Sequence, residues 1–86
     1  MNAGFGVPRK KINEDAGVKK WHGEISDKDD FGDSITDTFI DGRTQMGPWA
    51  IMSLNSWTKY GVGSLGTGNG QKYKKDSNGE WIKIEG

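Results

Sequence analysis

Apolar positions along this chain are sparse and change their pattern partway through. Over residues 1–30, Phe5, Val7, Ile12, Val18, Trp21 and Ile25 stand singly on a polar string. Gly4, Gly6, Pro8, Gly17 and Gly23 interrupt each stretch before a helical or strand period is established. The region therefore reads as an extended N-terminal arm, with Phe5, Val7, Ile12 and Trp21 as anchors for a partner's surface. From Ser34 the pattern becomes strand-like. Ser34 to Ile40 is rich in β-branched residues and sets Ile35 and Phe39 on one side, Asp41-Gly42 offers a turn, and Trp49–Met52 reads as the returning strand. Pro48 cannot donate to a ladder and so belongs at that strand's start. Ser53 is placed to cap a short helical turn running to Tyr60.

A loop with five glycines fills residues 61–70, and a second hairpin follows over 71–84. Its turn is read as Asp76-Ser77-Asn78-Gly79, with Gly79 at positive φ. If Lys75 lies opposite Glu80, Tyr73 faces Ile82, and Lys72, Lys74, Trp81 and Lys83 share the opposite side as a basic aromatic face. The expected fold class is small and mainly β: two antiparallel hairpins in a domain over residues 31–86, preceded by the arm over 1–30.

Composition narrows the function classes. Eighty-six residues with 31% hydrophobic content allow one small domain with a thin core. Twelve basic and twelve acidic residues cancel, so no bulk charge draws the chain to nucleic acid or anionic membrane. The charge is nonetheless blocked: net +3 over residues 1–23, −6 over 24–41 and +3 over 42–86. This pattern suits a self-complementary fold or a subunit contact. Cysteine is absent, which removes disulfides, thiolate metal sites and thiol nucleophiles together. No apolar run is long enough for a membrane span or a signal-peptide core, so the expected location is a virion or the host cytoplasm.

The candidate chemical motifs are incomplete. Gly61-Val-Gly63-Ser-Leu-Gly66 spells a dinucleotide-binding fingerprint, but Gly68 and Gly70 follow where a helix must start. Aligned from Asp27, a calcium loop finds Gly32 in place but Phe31 and Thr38 where ligands are required. His22 is the sole histidine and stands in the arm. No catalytic constellation and no cofactor are expected, and the chain reads as a non-enzyme.

The most informative spacing lacks its usual residues. Asp30 and Asp33 form one x-x-spaced pair and Ser53 and Ser56 another, nineteen residues apart, which is the layout of a zinc ribbon whose ligands are cysteines. The run from Ile35 to Met52, which includes Phe39-Ile-Asp-Gly42 and Gly47-Pro-Trp-Ala50, resembles a small phage and bacterial group of zinc-ribbon-like proteins. So do Tyr60-Gly-Val-Gly63 and Leu65-Gly-Thr-Gly-Asn-Gly-Gln-Lys-Tyr73. The resemblance covers roughly residues 30–86. It implies Cys pairs at the places of Asp30, Asp33, Ser53 and Ser56, and hence a degenerate, metal-free knuckle held by hydrogen bonds and aromatic packing. The expected function is a phage-encoded, non-enzymatic structural or interaction protein ordered within a larger assembly, such as a capsid decoration or cement subunit. The alternatives are a nucleic-acid-binding accessory using the face of Lys72, Lys74, Trp81 and Lys83, or a small inhibitor of a host protein.

Overall fold

A computed structural model describes residues 13–15 and 18–86. Its elements are β1 (Asn13–Asp15), β2 (Val18–Lys20), β3 (Thr38–Arg43), β4 (Trp49–Met52), α1 (Leu54–Tyr60), β5 (Gly70–Lys75) and β6 (Trp81–Glu85). The strands form one six-stranded sheet in the order β1-β2-β6-β5-β3-β4, with every pair antiparallel. The small, mainly-β class read from the sequence is the class observed.

Register assigns each residue to a side. Phe39, Asp41, Ile51, Tyr73 and Trp81 share one face, and Ile40, Ala50, Met52, Lys72, Lys74 and Ile82 share the other. The first is the core face, where Phe39 is fully buried and is the hub. Its ring stacks on Tyr73 at 5.0 Å between centroids and meets Trp81 at 4.9 Å and Trp21 at 5.5 Å edge-on. Each such pair adds about 0.5–1.5 kcal/mol beyond area burial. Ile35 and Ile51 complete the cluster, with Ile25 packed against it. On the second face α1 packs chiefly on β3 and β4.

Three loops share one construction. In residues 29–33, 44–48 and 76–80 the first residue's N–H donates to the fifth residue's carbonyl, at 2.7, 2.9 and 2.7 Å. In each, the fourth residue is a glycine (Gly32, Gly47, Gly79) at positive φ, whose N–H returns to the first carbonyl. Asp29 and Asp76 finish the loop by accepting two further backbone N–H bonds on Oδ1, from the third and fifth residues. In the middle loop the fifth residue is Pro48, which has no N–H, and the first is a threonine.

Several expectations are corrected. The turn expected at Asp41-Gly42 lies instead at Thr44–Pro48, and both residues are buried inside β3. Gly42 is glycine for a different reason: a Cβ there would stand 2.8 Å from Cζ3 of Trp57. The second hairpin closes through five residues, Asp76 to Glu80, because Asp76 caps two N–H groups. Lys75 therefore pairs with Trp81 rather than Glu80. A one-residue shift moves every side chain to the other face. Residues 13–15 and 18–20, expected within an extended arm, add strands to the sheet, and Lys20 pairs with Ile82. Trp21, expected to insert into a partner, packs on the chain's own Phe39 and Tyr73, and its backbone N–H donates to the Trp81 carbonyl at 2.9 Å. Phe5, Val7 and Ile12 lie outside the described residues.

Candidate functional site

The two x-x pairs singled out in the sequence do meet, at the edge strand β4. Ser53 caps α1 by accepting the Ser56 N–H on Oγ at 3.0 Å. The same Oγ donates its proton to Oδ2 of Asp33 at 2.5 Å. Asp30 departs from this group: its Oδ2 accepts the Ile51 N–H at 2.8 Å, while its own N–H donates to the Ile51 carbonyl at 3.0 Å. Together these bonds occupy the outward N–H and C=O of Ile51 and cover that part of the sheet edge.

The fourth member of the joint is Asp29, which the spacing argument passed over. Its Oδ2 accepts the Ser53 N–H at 2.8 Å, and its Oδ1 accepts from Phe31 and Asp33. Burial pushes its carboxyl up, but bonds from the Ser53 backbone, the Ser56 side chain and the Asp33 and Phe31 backbones outweigh it. The net shift lies below the ordinary carboxylate range. Phe31 then stacks on Tyr60 at 4.3 Å, which ties the loop to the end of α1. The donor set does not fit zinc. The Ser53 hydroxyl and the Asp33 carboxylate are spent on each other, and Asp30 is turned to the backbone. Among the described residues no three His, Asp or Glu side chains converge on a metal position.

The expected basic aromatic face is divided by the hairpin register. Lys72 and Lys74 stay together on the helix face. Lys83 pairs with Tyr73 on the core face, where Trp81 is buried with Lys75 Nζ 5.0 Å above its ring. Beside Lys72 and Lys74 stand Ile82, half-buried, and Ile84, which is 53% exposed at a bulge in the β5–β6 pairing. Helix α1 packs chiefly on β3 and β4 rather than on these strands. The result is an uncovered strip of sheet in which Ile82 and Ile84 on β6 lie beside Lys72 and Lys74 on β5. Hydropathy pattern alone could not locate this strip, because it depends on where a seven-residue helix stops.

Within the described residues no helix is long and apolar enough to cross a membrane. Comparison with known proteins finds no matching family, no similar curated protein and no similar solved structure.

Proposed function

We propose that this chain is a non-enzymatic structural or interaction protein, phage-encoded and held within a larger assembly such as the outer surface of a capsid. The observation that carries this reading is the uncovered strip on the helix face. Ile82 and Ile84, bordered along β5 by Lys72 and Lys74, form an apolar patch with a polar margin, which suits a protein-docking surface. The carboxylates of Asp29 and Asp30 support the same reading, since they are engaged in holding backbone N–H groups. The resemblance to the zinc-ribbon-like group is the source of the phage assignment. Under that assignment the knuckle is a hydrogen-bonded replacement for a metal.

A photo-crosslinking residue at Ile84, with Asn78 at the exposed loop tip as control, tests the reading in the producing cells. The expected result is a discrete protein adduct from position 84 alone, lost when Lys72 and Lys74 are both changed to Glu. No adduct, or equal adducts from both positions, overturns it. The nucleic-acid alternative keeps Lys72 and Lys74 but loses its stacking ring to the core. It requires oligonucleotide affinity that falls steeply between low and moderate salt. A host-protein inhibitor would dock through the same strip, and the identity of the adduct separates it from an assembly subunit.

A further inference from the structure

The basic strip has an acidic neighbour. A shallow cleft of about 160 Å³ between residues 33–38 and the start of α1 is lined by Asp33, Asp37, Thr38 and Leu54. Leu54 is 46% exposed, and Asp37 is exposed. Thr38 is the register partner of Lys74, so cleft and strip adjoin on one continuous surface. Local compensation is partial. Lys28 bonds Ser34 on the cleft rim at 3.0 Å, Glu85 stands opposite Lys72 in register, and Lys20 pairs with Glu80 at 3.1 Å. Among the described residues neither Lys74 nor Asp37 belongs to an ion pair.

The surface thus carries an exposed apolar side chain at each end, Leu54 among acids and Ile84 among lysines. Such a surface is its own complement under a two-fold rotation, because each end meets the opposite end of the other copy. We propose that it takes a second copy of this chain, with Lys74 facing Asp37 and Ile84 facing Leu54 across the two-fold, each contact made twice. This rests on the reading of the chain as an interaction protein and names its partner. The charge pairs set register and exclude wrong alignments, while the apolar ends supply the area.

Sedimentation of the purified full chain over a range of concentrations, at low and moderate salt, tests it. The expected wild-type behaviour is a monomer–dimer equilibrium that weakens with salt. Lys74→Glu sets like charges against Asp37 twice over, and Asp37→Lys does the same against Lys74. Each single variant is expected to associate at least about tenfold more weakly. Combining both changes in one chain restores both pairs and returns association to within about threefold of wild type. An equimolar mixture of the two single variants forms a heterodimer for the same reason. Both positions lie on the surface, and circular dichroism identical to wild type confirms that each variant is folded. A wild type that stays monomeric throughout, or a double swap that does not recover, overturns self-docking. A monomeric wild type that still gives the position-84 adduct with a different protein retains the broader reading.

Discussion

The Thr44 hydroxyl donates to the Pro48 carbonyl at 2.8 Å, reversing the hydrogen-bond direction used at the same place by Asp29 and Asp76. Where the fifth loop residue has an N–H, the first residue is an acceptor. Where it is proline, the first residue is a donor. Thr44→Asp alone should destabilise the fold by about 1–3 kcal/mol, since a carboxylate then faces a carbonyl with no N–H between them. Adding Pro48→Ala supplies the missing N–H and should recover part of that loss. Denaturant midpoints around the double-mutant cycle measure the coupling, and strict additivity would contradict this pairing rule.

Acid should loosen the joint at β4. The Asp29 carboxyl is held below its ordinary value of 3.8, so its contribution is present above that value and is lost as pH falls through the lower folded pKa. Asp29→Asn should cost about 1–3 kcal/mol at neutral pH and flatten the acid limb of a stability–pH curve. An unchanged acid limb in that variant would place the sensitivity elsewhere.

The alkaline limb belongs to Tyr73. Burial, aided by the nearby Asp41 carboxylate, pushes its phenol well above the ordinary value of 10.0. The unfolded chain ionises first, so stability should fall as pH rises past about 10. The Tyr73 hydroxyl has no hydrogen-bond partner among the described residues. Tyr73→Phe should therefore leave neutral-pH stability unchanged or raise it by about 1 kcal/mol, and should blunt the alkaline loss. Chemical denaturation of both proteins at neutral and alkaline pH reads the difference.

Gly42→Ala should cost about 1–3 kcal/mol, because the added methyl meets the Trp57 ring at 2.8 Å and the Asn69 carbonyl at 3.1 Å. A red-shifted tryptophan emission with the fold retained would report displacement of Trp57. A neutral substitution would show that α1 shifts freely over β3.

Much of this architecture was legible where the cue is local. Ser53 announces the helix it caps, Gly79 announces the second hairpin, and Ile35 with Phe39 announces a buried face. The register of that hairpin was not legible from alternation, because a capping side chain at Asp76 decides between a four- and a five-residue closure. Trp21 stands alone in a glycine-rich stretch, so no period marks it as core. Gly42 looked like a turn because its need for glycine comes from Trp57, far along the chain. Asp29 did carry a signal: Asp-x-x-Gly followed by an acid occurs at 29–33 and again at 76–80, and both loops fold alike.

The joint among Asp29, Asp33, Ser53 and Ser56 sets which chemical insults this chain withstands. Small domains are commonly fastened by sulfur bridges or by a bound ion, and such fasteners fail to thiols or to chelators. Here the two segments are fastened by carboxylates gripping N–H and O–H groups, and the chain has no cysteine. Its weak condition is therefore the proton itself. The folded chain should withstand reducing and chelating conditions alike, and loosen first in acid.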